Sequence, residues 1–137
     1  MEHLGRHVII ELWGCNDAAI NDCELVKNAM LDAVRAANAT LLNIYVHTFS
    51  PQGVTGVAVL SESHLSIHTW PEHRYVAADV FTCGETTKPQ AAAEILAERF
   101  GAEQTVLREL ERGVFPTAQP TREPNPKSNR PRKLAGV

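Results

Sequence analysis

The segment Ser61-Glu62-Ser63-His64-Leu65-Ser66-Ile67-His68-Thr69-Trp70-Pro71-Glu72 concentrates side chains that can do chemistry. Read as a strand over 65–69, it alternates. Leu65 and Ile67 take one face, while His64, Ser66, His68 and Trp70 take the other. One face thus gathers two imidazoles, a hydroxyl and a large indole that is an unusual choice for open water. Glu62-Ser63 falls at the turn entering that strand, where a strained, reactive bond fits better than in mid-strand. Farther along, Cys83 precedes Gly84 at a strand end that leaves a thiol open to reaction. Several chemistries suit these residue types. His47, His64, His68, His73 and Cys83 are good zinc ligands, but their spacing matches no zinc motif and there is no CxxC or HExxH, so no metal is expected. A Ser–His–Asp hydrolase wants a GxSxG elbow and oxyanion-hole glycines, and neither is present. A Cys–His pair built on Cys83 stays open on residue types alone. Cys15 and Cys23 read as structural thiols.

The elements that must position these groups alternate between two periods. Arg6–Trp13 is a β-branched run ended by Gly14. Asn21-Asp22-Cys23-Glu24 resembles a capping box, with Asn21 as the cap and Glu24 three residues on. Behind it Leu25, Val26, Ala29, Met30, Ala33, Val34 and Ala37 recur at helical spacing for about four turns. Thr40–Phe49 and Val54–Leu60 form a hairpin through Ser50-Pro51-Gln52-Gly53, where Pro presets φ and Gly is free to take positive φ. Strands follow over 64–70 and 75–82. Thr87-Lys88-Pro89 opens a second helix that Gly101 closes, and Thr105–Glu111 is the last strand. The order β-α-β-β-β-β-α-β predicts an α+β two-layer sandwich: a mostly antiparallel sheet with both helices on one face.

The 137 residues, 44% hydrophobic and 21% charged, amount to one core. A net charge of −3 gives no global positive field for nucleic acid or an anionic membrane. No apolar run approaches the roughly 18 residues that span a bilayer. The first residues lack the basic flank and long apolar stretch of a secretory signal. Three irregularly spaced cysteines argue for reduced thiols and a cytoplasmic protein. Residues 1–115 carry 8 basic and 15 acidic groups, whereas 116–137 carry 5 basic and 1 acidic with five of the eight prolines. The expected division is a folded domain over 1–115 and a flexible, Pro-rich basic tail over 116–137.

The Ser61–Glu72 block, together with Asp79-Val80-Phe81-Thr82-Cys83-Gly84, closely resembles the prokaryotic S-adenosylmethionine decarboxylase proenzymes. Leu4-Gly5-Arg6-His7 and Phe49-Ser50-Pro51-Gln52-Gly53-Val54-Thr55-Gly56-Val57 look like the same family, so the resemblance covers about residues 4–113. It implies self-cleavage between Glu62 and Ser63 and conversion of Ser63 to a covalent pyruvoyl cofactor. The products are a β chain of 1–62 and an α chain of 63–137. A Schiff base to S-adenosylmethionine would then release CO₂, giving decarboxylated S-adenosylmethionine for spermidine and polyamine synthesis. By the same resemblance His68 accepts a proton during processing, Thr55 adds a hydroxyl there, and Cys83 returns a proton to the substrate. A thiol with a reference pKa of about 8.5 suits that task. Phe49 matches the family's adenine-stacking aromatic, with Trp70 a second candidate, and Glu72 suits a ribose diol. No pyridoxal phosphate lysine is evident, since Lys27 and Lys88 lie on or beside helices. The family also implies a dimer of αβ units (α2β2) in a four-layer αββα arrangement. Ser63 and Cys83 would come from one protomer, and Phe49, Thr55, His68 and Glu72 from the other. Position 55 departs from the pattern, being threonine where serine is expected; the added methyl stiffens χ1. Alternatives are an arginine or ornithine decarboxylase of the same fold, and an unprocessed homologue that only binds.

Overall fold

Strand alternation decides which side of each inner strand is dry, and the computed structural model, which describes residues 2–116, follows it there, whereas the two edge strands bury no residue fully. Six strands run β1 (Gly5–Trp13), β2 (Leu41–Thr48), β3 (Val54–Leu60), β4 (Ser63–Trp70), β5 (Tyr75–Cys83) and β6 (Gln104–Arg112). They form one sheet in the order β2-β3-β4-β5-β1-β6, and every neighbouring pair is antiparallel. Val8, Ile10 and Leu12 of β1, Ala58 of β3, Leu65 and Ile67 of β4, and Val76 and Val80 of β5 are buried on one face. Helices α2 (Cys23–Ala36) and α3 (Pro89–Phe100) pack side by side over that face, through Met30, Ala33, Ala92, Leu96 and Phe100. The predicted α+β sandwich is therefore the observed one.

Two local expectations need correction. The helix cap is Asp22, not Asn21: Asp22 Oδ1 accepts from Glu24 N at 3.0 Å and Leu25 N at 3.2 Å. Removing such a cap costs about 1 kcal/mol. Asn21 closes the short helix α1 (Asp17–Ile20), which sequence periodicity is too brief to reveal, and its Oδ1 accepts from Gly53 N at 2.9 Å. The residue read as a helix cap thus anchors the Ser50–Gly53 turn. Gly53 takes φ +108°, as its position predicts, and Phe49 N donates to Gly53 O at 2.8 Å. This turn sets where Phe49 leaves β2. At the other helix, Gly101 adopts φ +66° and its N–H donates to Glu98 O, the expected left-handed stop.

Among the described residues, the opposite face of the sheet carries no helix. Tyr45 on β2, Val57 and Val59 on β3, Trp70 on β4, Trp13 on β1, and Val106 and Leu110 on β6 are exposed. His64, Ser66, His68 and Trp70 share this face, as alternation predicts. Among the described residues no helix is long and apolar enough to cross a membrane. The expected tail over 116–137 lies, beyond Pro116, outside the described residues.

Candidate active site

Two clusters sit at opposite ends of the open face, and every site residue expected from sequence falls in one or the other. The first is built where the β3–β4 turn meets the end of β5. Ser63 has φ +146°, in the region that L side chains rarely adopt; holding a non-glycine residue there costs on the order of 1–3 kcal/mol. That positive φ takes Ser63 out of ordinary strand alternation, and its Oγ lies 3.5 Å from His64 Nδ1. The peptide carbonyl before it is also held: Cys83 N–H donates to Glu62 O at 3.0 Å. The Glu62 side chain is tied back to the neighbouring connection, where Thr40 N–H donates to its Oε1 at 3.0 Å and holds that carboxyl below the usual carboxylate range. The Cys83 thiol is exposed, and a cavity of about 390 Å³ opens beside it between Leu4, Gly5, Arg6, Gly84 and Glu85. By contrast Cys15 is fully buried, and burial pushes its thiol up to about 11, which leaves it inert at neutral pH.

The second cluster lies where β2 and β4 end. Thr55 pairs with both His47 and His68, and Thr55 Oγ1 and His68 Nδ1 hydrogen-bond at 3.1 Å. The His47 ring meets Phe49 edge-on, 4.6 Å between centroids. Trp70 joins a cross-strand aromatic row, 5.4 Å from Tyr75, which stacks on Trp13 at 4.3 Å. Glu72 sits two residues past Trp70 in the short 3-10 turn Pro71–His73. Phe49 is 51% exposed and Trp70 39%, so each has ring surface to offer a ligand. Ser63 and His68 stand five positions apart on an extended strand, about 16 Å along β4. Within one chain, therefore, His68, Thr55, Phe49 and Glu72 do not meet Ser63 and Cys83.

One group of residues escaped the sequence reading. Asp79, midway along β5, is the hub of a hydrogen-bond network. Its Oδ2 accepts from His7 Nε2 at 2.7 Å and His64 Nε2 at 2.9 Å, and its Oδ1 accepts from Ser66 Oγ. Arg112 donates to His7 Nδ1 at 2.8 Å. A guanidinium has only donors, so His7 Nδ1 must accept and the ring proton is assigned to Nε2, facing Asp79. Burial pushes the Asp79 carboxyl up, but the bonds from Ser66, His7 and His64 outweigh it and hold the group below the usual carboxylate range. The readable signal was a lone carboxylate in the otherwise apolar alternation of Tyr75–Cys83; its partners, up to 72 residues away, emerge only from strand register. The zinc set weighed from sequence is not assembled. Among the described residues His7, His64 and Asp79 alone bring three ligand-type atoms within 4.8 Å of one another, and there both imidazoles hydrogen-bond the carboxylate.

A depressed carboxyl contributes stability above its unfolded pKa, about 3.9, and loses it as pH falls through the lower folded value. Asp79→Asn is accordingly expected to melt below wild type at pH 7, with the gap narrowing as pH drops below about 4. Thermal melts of both proteins at pH 3 and pH 7 check this; a gap that stays constant would contradict it.

One end of the open face thus holds a strained Glu–Ser peptide with a hydrogen-bonded carbonyl and an exposed thiol one register position away, and the far end holds a His–Thr pair with aromatics. The model of the S-adenosylmethionine decarboxylase family matches residues 6–113. A protein of Thermomicrobium roseum named S-adenosylmethionine decarboxylase proenzyme is 53% identical over 116 residues, covering 84% of this chain and 98% of that protein. The protein of the same name from Methanococcus maripaludis is 50% identical over 84% of this chain and 94% of its own length. The crystal structure of the adenosylmethionine decarboxylase from Aquifex aeolicus superposes with a TM-score of 0.79 at 33% identity, covering 85% of this chain and 97% of that one. The chain belongs to the S-adenosylmethionine decarboxylase family.

Proposed function

We propose that this protein is a cytoplasmic S-adenosylmethionine decarboxylase that cleaves itself between Glu62 and Ser63, converts Ser63 to a pyruvoyl group, and supplies decarboxylated S-adenosylmethionine for spermidine and polyamine synthesis. The observation that carries this reading is the Glu62–Ser63 peptide itself, with positive φ on its serine side and its carbonyl accepting from Cys83 N–H. Ser63 Oγ attacks the Glu62 carbonyl carbon, and the Cys83 N–H stabilises the oxyanion that forms on Glu62 O. The C–N bond breaks and leaves an ester. Loss of the Ser63 α-proton then expels the Glu62 carboxylate from Cβ, and hydrolysis of the resulting dehydroalanine releases ammonia. A pyruvoyl carbonyl at residue 63 supplies the electron sink for loss of CO₂ from an α-amino acid. The Cys83 thiol, exposed at the same end of the sheet, gives its proton to the substrate α-carbon.

The reading includes a dimer of αβ units. His68, paired with Thr55, serves processing only if something carries it across the roughly 16 Å of strand that separates it from Ser63. A second copy does so when two open faces pack with their ends reversed, giving four layers αββα. The same packing covers Tyr45, Val57, Val59, Leu110 and the Trp13–Tyr75–Trp70 row. Each site then combines Ser63 and Cys83 of one protomer with Phe49, Thr55, His68 and Glu72 of its partner. Phe49 stacks the adenine, assisted by Trp70, and the Glu72 carboxylate accepts from the ribose diol. S-adenosylmethionine should therefore be decarboxylated by the cleaved protein, while arginine and ornithine, which need neither feature, should not. A CO₂-release assay on the three substrates decides it: turnover of arginine or ornithine instead would reassign the substrate.

A further inference from the structure

We propose that His64, oriented by Asp79, is the base that takes the Ser63 Oγ proton in the first step of self-cleavage, within a single protomer. The inference rests on the self-processing reading above and adds a catalytic residue to it. His64 Nδ1 lies 3.5 Å from Ser63 Oγ, within reach of a bond that tightens as the oxygen approaches the carbonyl. The other ring nitrogen is committed, since Nε2 contacts Asp79 Oδ2 at 2.9 Å. Asp79 is itself pinned by His7 Nε2 and Ser66 Oγ, both donors, so it has every reason to stay ionised and to accept the Nε2 proton. That places the His64 lone pair on Nδ1, toward the hydroxyl. Ser63, His64 and Asp79 thus form a hydroxyl–imidazole–carboxylate chain like that of serine hydrolases, built from two sequence neighbours and a residue on the next strand. It lacks the GxSxG elbow by which such a chain is usually recognised.

The step balances without an outside reagent. The Oγ proton passes to His64 Nδ1 as the Oγ–C bond to Glu62 forms, with the oxyanion on Glu62 O against Cys83 N–H. The imidazolium, stabilised by Asp79, then gives the same proton to the Ser63 nitrogen as the C–N bond breaks. The product is an ester with a free amine, and His64 is neutral again. His68, at the far end of its own strand, is left for the later removal of the α-proton. Asp79 is a positioning residue in this scheme; His7 holds it, Arg112 in turn holds His7, and neither touches a reacting atom.

The test follows full-length protein by intact mass after synthesis, with Ser63→Ala as the uncleavable control. Wild type should divide into 1–62 and 63–137. His64→Ala should cleave at least about 100-fold more slowly, the scale of a lost general base. Hydroxylamine, which splits esters and spares amides, should leave it whole, and added imidazole should restore cleavage. His64→Gln keeps a donor for Asp79 without a base, so it should fold as wild type by thermal melting and remain uncleaved. Wild-type cleavage rates in either variant would overturn the role of His64. So would hydroxylamine scission of His64→Ala between Glu62 and Ser63, or failure of imidazole to rescue it. A wild-type chain that never cleaves would instead overturn the self-processing reading, and this step with it.

Discussion

A Ser63→Ala chain and a His68→Ala chain, each inactive alone, are expected to regain decarboxylase activity when coexpressed. The reason is geometric. Ser63 opens β4 and His68 stands five residues on, about 16 Å along an extended strand, so the two cannot serve one reaction from the same chain. In a dimer with an isologous interface, a mixed pair joins the intact Ser63 and Cys83 of one chain to the intact Thr55–His68 pair of the other. That rebuilds one complete site and leaves its twin doubly defective. Random mixing of equal amounts then gives roughly a quarter of wild-type activity. Mass spectra of the mixture should show that only the His68→Ala chain has been cleaved. Continued inactivity of a mixture that sediments as a dimer would mean that each site is assembled within one protomer.

Cys83→Ala is expected to separate the two reactions. The contact to the scissile carbonyl comes from the backbone N–H of residue 83, which alanine retains, so cleavage should proceed near its normal rate. In the proposed mechanism the thiol returns the proton to the substrate, so its loss should lower kcat by about 10²–10⁴-fold, the range for a missing proton donor. Binding is left largely alone, because Phe49 and Glu72 belong to the other cluster, and KM should change little. Measuring cleavage by gel and turnover on the cleaved protein gives both numbers. Equal loss of cleavage and turnover would place the thiol in processing instead.

Much of this was readable along the chain. Alternation in Leu65–Trp70 correctly separated the dry face from the one bearing His64, Ser66, His68 and Trp70. The helical spacing of Val26, Ala29, Met30, Ala33 and Val34 located the helix that covers the sheet. Local signals sometimes named the right device and the wrong residue: Asn21 and Asp22 are both good caps, and only the tertiary bond from Gly53 N to Asn21 decides between them. What strand periodicity cannot convey is distance and register. It places Ser63 and His68 on one strand without saying that they stand at opposite ends of a surface. Nor does it bring His7, Ser66 and Asp79, from three different strands, to one point. The contact between Cys83 N and Glu62 O likewise belongs to the β4–β5 register and leaves no trace in either segment alone.

The central claim is that the chain breaks its own backbone at a strained bond, and intact mass under denaturing conditions tests it most directly. The account predicts two species, residues 1–62 and residues 63–137, the second lighter by one ammonia than a fragment beginning with serine. A single full-length species that persists on incubation would contradict it.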